Sequence, residues 1–202
     1  MEFNLISNNF DGNKAKNGGA LYFKNGKNID NINNRPINIE NNNFNNNMAD
    51  YFGGAIYSEY SKLFLASITN NVIKDNNAGI MGGGIYSPKS IDKNLFRVED
   101  NFYENNKYDD YATGPAYIEL DKSKIKIDNN ETISLKTGDR LPLSFIMKDE
   151  FNNIIVDVTK YYSSIILKVI LQRKDKNEIE EEEDSDHYYH LTGNIGTFSR
   201  GN

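Results

Sequence analysis

The chain has 202 residues, no Cys, no Trp and a formal net charge of −6. Its composition excludes disulfides, Cys-based zinc sites and thiol nucleophiles. With no basic excess in either half, it also argues against a protein that tracks nucleic-acid phosphates.

Of 32 Asn, 25 fall in the first 106 residues. An aromatic content of 12% sets this bias apart from that of a disordered tract. Met1-Glu2-Phe3-Asn4 lacks the basic flank and apolar core of a secretory signal. The most apolar stretch, residues 165–171, is interrupted by Lys168 and is far shorter than the roughly 20 residues of a spanning helix. The final Arg200-Gly201-Asn202 reads as the middle of a turn, so the chain is expected to be a piece of a longer protein.

A repeat occupies the Asn-rich half. Gly18-Gly19-Ala20-Leu21-Tyr22, Gly53-Gly54-Ala55-Ile56-Tyr57 and Gly82-Gly83-Gly84-Ile85-Tyr86 are three copies, with Gly114-Pro115-Ala116-Tyr117-Ile118 as a degenerate fourth. An apolar residue followed by Asn precedes each: Phe10/Asn13, Phe44/Asn47, Val72/Asn76 (one residue longer) and Phe102/Asn105. A period near 30 residues with short β-like runs predicts a parallel β-solenoid. Paired glycines allow sharp turns and close backbone approach, and Asn tolerates the left-handed region. Asn at equivalent places in stacked coils can bond along the stack. Phe10, Phe44 and Phe102 are expected to stack inside.

Tyr22, Tyr57 and Tyr86 hold the same place in successive copies. Side chains alternate across a strand. With Leu21, Ile56 and Ile85 inward, the tyrosines would form a surface row able to stack on sugar rings or a protein partner. The competing expectation is that they pack on one another or fill the core on the other parity.

Beyond about residue 120 the double glycines stop and alternating runs begin at 123–127, 132–135, 141–147, 154–158 and 164–171. Strands at this spacing predict an antiparallel sandwich. The stretch Leu143-Ser144-Phe145-Ile146-Met147-Lys148-Asp149-Glu150-Phe151-Asn152-Asn153-Ile154 resembles the D-x-x-G/N-N hairpin of immunoglobulin-like stalk domains in surface proteins, which implies that the sandwich is immunoglobulin-like. Residues 178–186 form an acidic run read as a solvated loop, and His187 and His190 are the only histidines. Neither is read as a metal site, and no cofactor is expected. Residues 1–120 contain no His, so no Ser-His-Asp triad can form there. A glycosidase needs only two carboxylates, and Asp109-Asp110 is the pair weighed for that role. Asn130-Glu131-Thr132 is an acceptor for N-glycosylation.

The paired elements, best seen in Gly53-Gly54-Ala55-Ile56 and Phe44-Asn45-Asn46-Asn47, resemble the GGAI and FxxN repeats of chlamydial polymorphic outer membrane proteins. The resemblance covers about residues 1–120. It implies a right-handed parallel β-helix exposed on a cell surface and linked to adhesion. β-Helix-plus-sandwich ectodomains of large proteins from anaerobic fungi and AT-rich protists are also similar. In some of these a family-3 G-protein-coupled-receptor-like membrane region follows, which would anchor the parent protein.

The expectation is therefore all-β: a right-handed parallel β-helix of about four coils (1–120), then a partial immunoglobulin-like sandwich (121–202). The expected role is non-enzymatic, an extracellular adhesin-like module presenting a rigid face to a glycan or surface protein through Tyr22, Tyr57 and Tyr86. The alternatives are a carbohydrate-active β-helix enzyme of pectate-lyase or glycoside-hydrolase type, and an ectodomain of a receptor-like membrane protein.

Overall fold

The computed structural model describes residues 3–24, 37–59, 66–88, 97–125, 133–136, 138–157, 160–170 and 192–198. Among these residues it is all-β apart from the 3-10 turn Lys122–Lys124. As far as residue 113, each strand pairs in parallel with one a repeat away. The first sheet is β1 (Phe3–Ile6), β5 (Ile37–Glu40), β9 (Ala66–Thr69) and β13 (Arg97–Glu99). The second is β2 (Asn9–Asp11), β6 (Asn43–Asn45), β10 (Val72–Lys74) and β14 (Phe102–Glu104). The third is β3 (Lys14–Asn17), β7 (Met48–Phe52) and β11 (Asn77–Ala78). The fourth is β4 (Leu21–Phe23), β8 (Ile56–Ser58), β12 (Ile85–Ser87) and β15 (Tyr111–Thr113). The chain thus visits the four sheets in the same order on its first three passes and, among the described residues, meets the third sheet on the fourth pass only through a bridge from Lys107 to Asn77; the stacked parallel sheets are compatible with a β-helix.

Register corrects the alignment of the repeat in two places. Phe10 pairs with Phe44, Phe44 with Ile73, and Ile73 with Tyr103. The inward residues of the last two passes are therefore Ile73 and Tyr103, not Val72 and Phe102, and Phe102 is 56% exposed. Phe10 and Phe44 do stack inside, with centroids 4.9 Å apart and rings 4° from parallel. Once Ile73 is chosen, its distance to Asn76 is the same as that from Phe44 to Asn47, and the apparent insertion disappears. The fourth double-glycine position is likewise Tyr108-Asp109-Asp110, because Tyr111 pairs with Ile85. Residues 114–118 lie beyond it.

Alternation fills the interior. Ile39, Ile56, Ile68, Ile73 and Ile85 are fully buried in one cluster with Phe44. Each such side chain contributes about 1.5–3 kcal/mol relative to exposure. The corners are set by backbone chemistry. Ser7, Asn41, Asn70 and Asp100 mark one corner and Gly12, Asn46, Asp75 and Asn105 the next, all with φ between 52° and 68°. Asn, Asp and Gly tolerate this left-handed region best.

Each corner residue is followed by an Asn whose amide points into the stack. One ladder is Asn8, Asn42, Asn71 and Asn101, and the other is Asn13, Asn47, Asn76 and Asn106. In every step the backbone N–H and Nδ2 of one Asn both donate to the Oδ1 of the next. A second Nδ2 proton reaches back to a carbonyl of the preceding pass, as from Asn47 to Phe10 O at 3.0 Å. Asn42, Asn47, Asn71 and Asn76 are no more than 1% exposed, yet all are satisfied. That is the condition under which buried amides are tolerated.

Downstream, β16 (Tyr117–Leu120) pairs antiparallel with β17 (Phe145–Lys148), and β18 (Ile166–Lys168) with β19 (Ile195–Thr197). Of the runs expected downstream, 141–147 overlaps β17 and 164–171 overlaps β18, while the described part of 154–158, residues 154–157, contributes a bridge from Ile154 to Lys148 and no strand. Part of 123–127 is the 3-10 turn. Among the described residues the antiparallel pairs stay two-stranded. The acidic run, His187, His190 and Asn130-Glu131-Thr132 lie outside the described residues.

Candidate functional site

The tyrosine row exists, but not as the solvent-facing surface the repeat suggests. Tyr22, Tyr57 and Tyr86 stand in register on the fourth sheet, on the side opposite Leu21, Ile56 and Ile85. Alternation therefore predicts their parity correctly. The face they share is covered: Tyr57 is 7% and Tyr86 4% exposed, whereas Tyr22 is 47% exposed. Their cover is Phe52, Ile80 and Met81 from the stack together with Met147, Ile155 and Phe198 from the downstream segment. Tyr162, Ile165 and Leu167 pack around the edge. Both faces of this sheet are apolar, one for the interior and one for the downstream segment.

The rings form a graded aromatic flank. Tyr57 and Tyr86 stack at 5.6 Å and 7°, and Phe52 stacks on Tyr86 at 4.5 Å. Burial, followed by the neighbouring phenol of Tyr162, drives the Tyr86 hydroxyl far above its usual range. Burial also pushes Tyr162 up to about 12. Toward solvent the flank ends in exposed Tyr22, Tyr51 and Tyr161. Tyr161 meets Phe52 edge-on at 5.4 Å and Tyr51 at 6.3 Å. Glu59 joins the first and second passes: Oε2 accepts from Tyr22 Oη at 2.9 Å and Oε1 from Tyr57 Oη at 2.8 Å. The exposed part thus combines π-faces with a fixed carboxylate, a pairing suited to sugar rings and their hydroxyls. Glu59, Tyr51 and Tyr161 carry no repeat signature, so the motif spacing could not have singled them out.

The carboxylates weighed for hydrolysis lie at the last pass. Asp109 Oδ2 is buried with no hydrogen-bond partner among the described residues. Burial, with Asp149 and Asp110 adding negative charge nearby, raises its carboxyl to about 6. Asp149 is fully buried and structurally committed. Its Oδ1 accepts the N–H groups of Phe151 and Asn153, and its Oδ2 accepts Thr113 N–H and Asn153 Nδ2. It both shapes the turn at 149–153 and fastens it to β15. Asn153 Nδ2 adds a bond to Tyr111 O at 3.1 Å, so this turn occupies the edge where a further strand would pair. Among the described residues no three His, Asp or Glu side chains converge as a metal site, and no helix is long and apolar enough to cross a membrane.

The sign of the Asp109 effect follows from its raised value. The folded state holds the proton more tightly than the unfolded one, so stability falls as pH rises from about 4 to about 6. Above that window the penalty is complete. Asp109→Asn should remove it, making the variant more stable at pH 7 by of order 1 kcal/mol once partial solvent screening is allowed for, with little difference at pH 4. Urea titrations of both proteins at the two pH values check this.

No protein-family model matches the chain, and no curated protein and no solved structure shows significant similarity to it.

Proposed function

We propose that this chain is a non-enzymatic, adhesin-like module of a cell-surface protein, which holds an aromatic flank rigidly toward a glycan or a surface protein. On this reading residues 1–120 are a right-handed parallel β-helix of about four coils, of the kind marked by GGAI and FxxN repeats. The segment that follows is an immunoglobulin-like sandwich, and the parent protein is membrane-anchored. The observation that carries the reading is the exposed set of Tyr22, Tyr51 and Tyr161 beside Glu59, held on a floor of stacked Phe52, Tyr57 and Tyr86. Rings fixed by a buried aromatic layer lose little freedom on binding, which is what lets a small contact area discriminate.

The hydrolytic reading has less support. A carboxyl raised to about 6 beside a second acid is the kind of arrangement a general acid uses. Here, however, the neighbouring carboxylate spends both oxygens on four N–H groups of the turn and β15.

The test is binding of the chain to a glycan array and to intact host-cell surfaces, repeated with Tyr22→Ala and Tyr161→Ala. Both substitutions are at exposed rings and should change stability by less than about 1 kcal/mol. Each should weaken binding about tenfold or more, in line with loss of a stacking ring. Binding that survives both substitutions unchanged would move the contact elsewhere on the solenoid. Hydrolysis of an arrayed oligosaccharide would favour the enzyme reading.

A further inference from the structure

We infer that the stacked passes associate head to tail between copies of this chain, the first pass of one copy docking on the fourth pass of another. The ladders are directional. Every Asn in them turns its Oδ1 toward the preceding pass and its backbone N–H toward the following one. At the first pass this leaves Asn8 Oδ1 and Asn13 Oδ1 as acceptors that no described residue meets, while the equivalent oxygens of Asn42 and Asn47 each accept two bonds. At the fourth pass the N–H groups of Asn101 and Asn106, whose equivalents in Asn71 and Asn76 donate to the next amide, have no acceptor among the described residues. One end offers acceptors and the other offers donors, at the same two corners. Head-to-head contact would set acceptors against acceptors, so the match is heterologous.

Charge agrees with this polarity. Among the described residues of the first pass (3–24), Lys14, Lys16 and Lys24 outweigh Asp11 by two charges. Between 97 and 113, Arg97 and Lys107 are outweighed by three through Glu99, Asp100, Glu104, Asp109 and Asp110. Strand edges agree as well. Among the described residues β1 to β4 have no partner on the outer side, and neither do β13 and β14, whereas β15 is covered by the turn at 149–153. The open edges of the fourth pass are those that flank Asn101 and Asn106. The first pass also leaves Phe3 and Ile6 44% and 50% exposed at β1. Exposed parallel strand edges are templates for such stacking.

Sedimentation velocity of the full chain should show a weight-average mass that rises with concentration and falls with added salt. The pair Lys14→Glu/Lys16→Glu at the first pass, and the pair Glu99→Lys/Glu104→Lys at the fourth, should each weaken self-association at least tenfold. All four sites are on outward, exposed side chains, and circular dichroism verifies folding. Mixing the two charge-reversed chains should restore association, because each reversed end then meets its opposite. A chain that stays monomeric at the highest soluble concentration overturns the inference. So does reversal without effect, or a mixture that fails to reassociate.

Discussion

Replacing Gly54 by alanine is expected to cost about 3 kcal/mol or more, enough to leave much of the chain unfolded at 37 °C. A Cβ built on Gly54 lies 2.2 Å from the carbonyl oxygen of Gly83 and 2.7 Å from Asn77 N. Both are backbone atoms of the next pass, so neither can move without separating the sheets. Gly19 and Gly83 meet the same obstacle, at 2.2 and 2.4 Å. Gly53 carries a different constraint, with φ of +66° and Ile56 O at 2.3 Å. Gly12 is the control: it has φ of +68° but nothing within 4 Å, so Gly12→Ala should cost only about 1 kcal/mol. Chemical denaturation of the two variants beside the parent separates backbone strain from lost space. Equal destabilisation would refute the spacing explanation. The fourth pass supplies an internal comparison, because Asp109 occupies the place of Gly83 where no further pass is stacked on it among the described residues.

Asn47→Leu is expected to be comparably damaging, at about 3–5 kcal/mol. The substitution fills the volume but removes Oδ1, the acceptor for Asn13 N–H and Nδ2, and the donor that reaches Phe10 O. It also takes from Asn76 Oδ1 one of its two donors. Each buried group left without a partner costs about 1–3 kcal/mol. Asn47→Asp sharpens the test. The carboxylate keeps the acceptor side of the ladder but turns lone pairs toward Phe10 O and Asn76 Oδ1, where protons are needed. Protonation restores one donor, so relative to the parent at the same pH this variant should gain stability as pH falls through the carboxyl's raised value, while Asn47→Leu should not. Thermal melts at pH 4 and pH 7 distinguish them. If Asn47→Leu melts within a few degrees of the parent, the ladder is not what holds the passes in register.

The repeat was legible because its residues answer local demands. Gly18, Gly53 and Gly82 are needed for positive φ, Asn41 and Asn46 for left-handed corners, and Ile56 and Ile85 for alternation. The ladder through Asn13, Asn47 and Asn76 could be read for the same reason. The ladder through Asn8, Asn42, Asn71 and Asn101 could not, because so many neighbouring Asn hide which ones point inward. The same ambiguity favoured Val72 and Phe102 over Ile73 and Tyr103. In each case an apolar neighbour one position away satisfies the pattern equally well, and only the pairing register decides the parity.

The sequence by itself determined the all-β class, the parallel repeat near 30 residues, and which residues turn the chain, since turns and alternation are set by the nearest few residues. Tertiary structure alone decided what covers each face. Tyr57 and Tyr86 are buried because Met147, Ile155 and Phe198, far along the chain, close over the fourth sheet. The exposed site shrank accordingly to Tyr22, Tyr51, Tyr161 and Glu59. Burial of this kind depends on contacts between residues about a hundred positions apart, which no local periodicity encodes.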